Sequence, residues 1–178
     1  MKNIINRYNV IFIAALVFLA SYALTKFHIY MDGYEIGILI SSVLVFSWLG
    51  ISWENFKSFF ISIILLAFLS IFLYEGNLLF AEKNFFLKYF LSSQSAIMWM
   101  SALYPLSLII YWAHLFNTKF FSGLLASSLV WIATSLGTSG LLIRWYESYL
   151  INIDAGHIPI SNLYEVFVLF CLITALIY

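Results

Sequence analysis

Charged residues are scarce in this chain. Lysine, arginine, aspartate and glutamate make up 9% of its 178 residues, whereas a soluble domain has about a quarter. Hydrophobic residues supply 64%, and the mean hydropathy is +1.01. The eight basic and eight acidic residues balance, so no cationic surface for nucleic acid is indicated. This composition excludes an ordinary soluble domain and predicts an all-α, polytopic transmembrane helical bundle in contact with the lipid bilayer.

Cysteine and proline are almost absent, with one and two copies. A lone Cys171 excludes an internal disulfide and a CxxC metal site, and its apolar surroundings predict a small buried side chain. Pro105 is predicted to kink the helix that contains it. The chain also lacks an HExxH motif, a phosphate-binding glycine loop and a Ser/His/Asp set. We therefore assign no catalytic residue and no metal ligand.

Charged residues also mark the ends of the predicted membrane spans, because about 20 apolar residues cross a bilayer. The uncharged runs predict spans near residues 8–25, 36–53, 58–74, 95–115, 120–143 and 162–178, within a single transmembrane domain over 1–178. The sixth run reaches Tyr178 with barely enough length to cross, so the last span is expected to be truncated.

Two stretches differ from simple apolar spans. The fifth span, near residues 120–143, is rich in glycine, alanine and serine, which favours close packing against other helices. A cofactor that lies against this span is the alternative explanation of its small residues. Between the third and fourth spans, Gly76–Lys88 is predicted to form a short amphipathic helix at the membrane interface.

The polar segment Arg144–Glu165, RWYESYLINIDAGHIPISNLYE, joins the last two spans. Arg144 and Glu147 are three residues apart, so at a helix end they share one face and are predicted to pair. Either Ser161 or Asn162 is predicted to cap a new helix, with Glu165 near its first turn.

At these residues the chain resembles the CcsA/ResC family of System II cytochrome c maturation. The residues that carry this resemblance are Arg144, Glu147, Gly156, His157, Pro159, Ser161, Asn162, Tyr164 and Glu165. The upstream stretches Met31–Gly37 and Ser92–Ser101 are similar to the proteobacterial branch of the family, whose members are also named CcsB.

The resemblance implies a membrane component that exports haem and assists its covalent attachment to apocytochrome c. It implies haem as cofactor, and as partners a companion System II subunit with a large outer domain and the apocytochrome. It also implies a bacterial inner membrane location with the N-terminus in the cytoplasm. Charge alone leaves the orientation open, because the basic residues divide four against four. Whether the chain itself acts as an enzyme is left open.

Arg144 and His157 are the candidate haem contacts, through a propionate and the iron respectively. For each the commoner role is structural: an Arg–Glu pair at a helix end, and a turn histidine bonded to backbone. His28 and His114 are predicted to be interface residues. The family's axial histidines flank a Trp-Gly-x-x-Trp-x-Trp-Asp motif, which does not occur here. This indicates an N-terminal fragment, with the haem ligands outside it, or a short paralogue.

Two alternatives lie outside this family. One is a membrane transporter or respiratory-complex subunit without covalent chemistry, which would carry charges within its spans. The other is a purely structural membrane subunit.

Overall fold

The structure is a computed structural model that describes residues 6–28, 33–53, 55–116, 120–151 and 162–177. These residues form helices joined by short turns, and none of them lies in a strand. The helices are α1 (Arg7–Phe27), α2 (Gly33–Ser52), α3 (Phe56–Tyr74), α4 (Phe80–Lys83), a π-helix (Leu87–Leu91), α5 (Ser93–Phe116), α6 (Phe120–Ile151) and α7 (Leu163–Ile177). The predicted all-α class is confirmed.

Four helices are long and apolar enough to cross a membrane: Arg7–Lys26, Phe56–Tyr74, Ser93–Phe116 and Gly123–Ile151. The apolar parts of α2 and α7, Ile36–Ser52 and Leu163–Ile177, are shorter. A helix thus lies at each of the six predicted positions, and the chain is a multi-pass membrane protein.

α6 is longer than the span that we predicted within it. The predicted span ended near residue 143, and the helix continues for two turns to Ile151; it includes Arg144 and Glu147, which we had placed at a helix end. Its 32 residues extend for roughly 48 Å, whereas the hydrocarbon core is about 30 Å thick. A helix of this length can place charged residues beyond the hydrocarbon and still remain helical.

The contacts divide the chain into two compact units, Met1–Phe60 and Ile61–Tyr178, which are described separately; the predicted single domain stays a prediction. In the first unit, Phe12 of α1 packs edge-on against Phe56 and Phe60 at centroid distances of 6.5 and 5.8 Å. Lys57 donates a hydrogen bond to the Asn9 side chain, so α1 and α3 are also joined by a polar contact.

In the second unit α5 packs closely along α6 because glycines of α6 leave room. A Cβ atom at Gly137 would lie 2.3 Å from Met100 Sδ and 2.9 Å from Leu172 Cδ2. One at Gly140 would lie 3.0 Å from Ile97 Cγ1 and 3.4 Å from the Ser93 carbonyl oxygen. These contacts favour the packing interpretation of the small residues.

The connection from α3 to α5 is not the single amphipathic helix that we predicted. Glu75 and Gly76 have φ angles of 48° and 73° and end α3, and two short helices follow. Cys171 also differs from its prediction, because it is exposed on α7 rather than buried. In a membrane, that surface of α7 faces lipid or a neighbouring helix.

Candidate functional site

Five polar side chains meet where four helices of the second unit have their ends. Tyr74 is the last residue of α3, Ser93 is the first of α5, and Glu165 lies in the first turn of α7. Arg144 and Glu147 come from the last third of α6. We call these five residues the Glu147 cluster.

Glu147 is the central acceptor. Its Oε1 accepts hydrogen bonds from the Tyr74 hydroxyl at 2.5 Å and from the Ser93 backbone N–H at 3.0 Å. Its Oε2 accepts a hydrogen bond from the Ser93 hydroxyl. The side chain is buried, and so are Tyr74 and Ser93. Burial of a carboxylate is costly unless hydrogen bonds compensate it, and three donors do so here.

The contact with Ser93 also caps α5. The first N–H groups of a helix have no partner inside the helix, and the helix dipole favours negative charge there. Glu147 of α6 supplies that charge to the first residue of α5. Ser92 adds a local cap, since its hydroxyl accepts a hydrogen bond from the Ser95 N–H at 3.2 Å. A side chain of α6 therefore fixes where α5 starts.

Arg144 lies between two carboxyl groups. Its Nη1 is 3.7 Å from Glu147 Oε2, and its Nε is 3.5 Å from Glu165 Oε1. The predicted Arg144–Glu147 pair is thus confirmed. The Arg144 side chain is 44% exposed, whereas those of Glu147 and Glu165 are 9% and 6% exposed. The Arg144 side chain is therefore accessible to an anionic group from outside.

Asn162 rather than Ser161 caps α7. Its Oδ1 accepts a hydrogen bond from the Glu165 N–H at 2.9 Å, and its carbonyl oxygen accepts one from the Val166 N–H at 3.1 Å. This places Glu165 in the third position of the helix, as the spacing from Asn162 predicts. The cap orients the first turn of α7 so that Glu165 reaches Arg144.

Apolar packing surrounds the Glu147 cluster. Tyr74 is fully buried with Leu87, Leu91 and Ile143, and its ring meets that of Tyr146 edge-on at 6.1 Å. Gly140 lets the backbone of Ser93 approach α6 one helical turn before Arg144. Among the described residues, every buried side-chain nitrogen and oxygen has a hydrogen-bond partner.

The resemblance residues divide into three groups. Arg144, Glu147, Asn162 and Glu165 meet at the Glu147 cluster. Tyr164 is 57% exposed, and among the described residues the structure shows no hydrogen bond between it and the cluster. Gly156, His157, Pro159 and Ser161 lie outside the described residues, and so does Tyr178.

The other two histidines do not join the cluster. His28 is exposed at the end of α1, and His114 of α5 lies beside Gly123 of α6. Within the part of the chain that the structure describes, no three His, Cys, Asp or Glu side chains form a group that could hold a metal ion.

Tyr74 and Ser93 were not predicted as site residues. Ser93 had one signal, because it stands in the serine-rich stretch that resembles the family. Tyr74 had none, since a tyrosine that ends an apolar helix is usually an interface residue. Both contact Glu147 across long stretches of sequence: Tyr74 is 73 residues from Glu147 and Ser93 is 54 residues from it.

Comparison with protein-family models, with curated proteins and with solved structures gave no match. The cluster therefore has to be interpreted from its own chemistry. It is a closed network of donors and acceptors with one partly exposed cation, which suits positioning of helices and binding of an anion.

Proposed function

We propose that this chain is a CcsA/ResC-type component of cytochrome c maturation in the bacterial inner membrane, with its N-terminus in the cytoplasm. In this role it handles haem and assists its covalent attachment to apocytochrome c. Its partners are the apocytochrome and a companion System II subunit with a large outer domain.

One observation supports the proposal. Part of the resemblance lies in two polar stretches, Arg144–Glu147 and Gly156–Glu165, of which the structure describes the first and the end of the second, from residue 162. Side chains of both stretches meet in one network, because the half-exposed Arg144 lies beside the buried carboxyl groups of Glu147 and Glu165. A chance similarity in two separate stretches gives no reason for the matched residues to be in contact.

Arg144 is the described residue that fits a haem propionate. Its guanidinium lies between Glu147 and Glu165, and because the side chain is 44% exposed it can also donate to a carboxylate from outside, in the fork geometry that arginine favours. Haem would supply an iron centre and vinyl groups for attachment to cysteine thiols. The role of His157 as an iron ligand stays a prediction.

A transporter or respiratory-complex subunit is the second candidate, because one structural observation favours it. Arg144 and Glu147 lie inside the candidate span Gly123–Ile151, which extends beyond the uncharged span that we predicted near 120–143. Ionisable side chains within spans often mark ion or substrate paths. Here both are engaged in fixed contacts at one end of the helix, which favours a positioning role.

The test is deletion of the gene in its host, followed by measurement of covalently bound haem in membrane proteins. The proposal predicts loss of haem-stained c-type cytochromes, with the b-type spectrum of the same membranes retained. Unchanged c-type cytochromes would contradict it. Loss of both classes would indicate a general defect in haem supply or respiration and would favour the second candidate.

A further inference from the structure

Residues 75–92 connect α3 to α5, and the two helices fix the position of this connection relative to the bilayer. Candidate spans stop at Tyr74 and start again at Ser93. Because the chain leaves one span and enters the next on the same side, the connection lies at one surface of the bilayer. It contains α4 and the π-helix.

Four aromatic side chains of this connection form an exposed patch. The ring centroid of Phe85 lies 5.8 Å from that of Phe86, 5.0 Å from that of Tyr89 and 6.4 Å from that of Phe90. Each ring is between 42% and 62% exposed. We call these four residues the aromatic patch. A patch of this kind in water would be unfavourable, whereas aromatic rings are enriched at the membrane–water interface.

Several backbone groups behind the aromatic patch are paired, which favours its entry into a region with little water. The Lys88, Tyr89 and Leu91 carbonyl oxygens accept hydrogen bonds from Ser95 Oγ at 2.6 Å, Trp99 Nε1 at 2.7 Å and Ser70 Oγ at 2.7 Å. At the start of the patch, the Phe86 N–H donates to Asn84 Oδ1 at 3.0 Å. Unpaired backbone groups would oppose insertion, and these contacts reduce that obstacle.

The other side of the connection faces the protein. Leu87 and Leu91 are buried against Tyr74 and Ile143, next to the Glu147 cluster. Trp99 of α5 stacks on Phe90, with ring centroids 5.7 Å apart and an interplanar angle of 1°. The aromatic patch is thereby held in a fixed orientation relative to α5.

Charged side chains complete the pattern of an interfacial segment. Glu82, Lys83 and Lys88 are exposed, and Lys88 Nζ lies 5.7 Å from the centroid of the Tyr89 ring. A lysine beside an aromatic ring at the bilayer surface can reach the headgroups while its methylene groups stay among apolar atoms.

We propose that the aromatic patch binds the bilayer itself: Phe85, Phe86, Tyr89 and Phe90 insert at the boundary between phospholipid headgroups and acyl chains. The bilayer is the occupant because the spans on both sides hold the connection at its surface. In this position the patch anchors the segment that packs over the Glu147 cluster. The inference is independent of the haem-handling proposal, because it uses only the spans and the connection.

The test places a nitroxide at Phe86 and measures its collisions with oxygen, which concentrates in lipid, and with a water-soluble nickel chelate. The full chain carries Cys171→Ser and Phe86→Cys and is reconstituted in phospholipid nanodiscs. The matched control is Glu82→Cys in the same background, since Glu82 is an exposed acidic residue of the same connection. We expect the ratio of oxygen to nickel collisions to be several-fold higher at position 86 than at 82.

Two results would overturn the proposal. Equal access of the nickel chelate to positions 86 and 82 would place the patch in water. Protection of position 86 from both reagents would mean that protein, such as a second copy or a partner, covers the patch. Phe85→Cys repeats the test at the most exposed ring of the patch, which is 62% exposed.

Discussion

Glu147 is the residue on which the polar contacts of the second unit converge. It accepts hydrogen bonds from α3 and α5 and pairs with Arg144 on its own helix. An ion pair with a partly exposed member, such as those of Arg144, contributes about 0–1 kcal/mol to the free energy of unfolding. Loss of a donor to a buried carboxylate costs more, because the carboxylate then has too few partners. The hydrogen bonds, rather than the ion pairs, are therefore expected to dominate the stability of the cluster.

Tyr74→Phe tests this directly, because it removes the hydroxyl and keeps the ring. We expect a loss of about 1.5–3 kcal/mol in the free energy of unfolding, the range typical for a hydrogen bond to a charged group. Unfolding in detergent, followed by tryptophan fluorescence, measures it. The matched control is Tyr149→Phe, since Tyr149 lies on α6 but is 46% exposed. Equal stability of the two variants would show that the Tyr74 hydroxyl contributes nothing.

The sequence predicts some contacts of the cluster and not others for a simple reason. The Arg144–Glu147 pair and the Asn162 cap depend on spacings of three residues, which helix geometry fixes. The contacts of Tyr74 and Ser93 with Glu147 depend on which helices are neighbours and on their relative height. No local pattern carries that information.

At the scale of elements, the close pairing of α5 and α6 determines the geometry of the site. Glycines of α6 allow the approach, and the start of α5 then lies within reach of Glu147. The composition of the fifth span predicted such packing, although it did not identify α5 as the partner. The α3–α5 connection could not be predicted, because hydrophobic periodicity signals neither a π-helix nor the hydrogen bonds that Ser95 and Trp99 donate to its carbonyl oxygens.

Gly137→Ala should destabilise the second unit. In an open helix position, Gly→Ala is stabilising by roughly 0.5–1 kcal/mol. At Gly137 the new methyl group would overlap Met100 and Leu172, which are both buried. We expect the overlap to outweigh the gain in helix propensity and to lower the thermal unfolding temperature in detergent.

Gly37→Ala is the control for this substitution. Gly37 lies inside α2, and a Cβ atom there would have no neighbour within 4 Å. We expect Gly37→Ala to leave the unfolding temperature unchanged or to raise it. If both substitutions had the same effect, the close approach of α5 to α6 at Gly137 would be refuted.

At the scale of the whole molecule, composition alone was enough to predict an all-α, multi-pass membrane protein. A chain with few charges and a mean hydropathy of +1.01 is stable in lipid rather than in water, and in lipid its backbone groups have to be paired within helices. Composition does not distinguish one membrane function from another. The proposed function depends instead on a few polar residues, and the cluster they form is what a functional experiment must address.

The most direct test measures covalently haem-bound cytochrome c in the deletion strain complemented with a Glu147→Gln variant. Glutamine keeps the shape of the side chain but removes the charge that faces Arg144 and the start of α5. Glu82→Gln, which alters an exposed acid on α4, is the matched control, and immunoblots of the membranes report the amount of each protein. We predict that Glu147→Gln is present in the membrane but gives several-fold less haem-bound cytochrome c than Glu82→Gln. Equal amounts of haem-bound cytochrome c from the two variants would contradict a role of the Glu147 cluster in cytochrome c maturation.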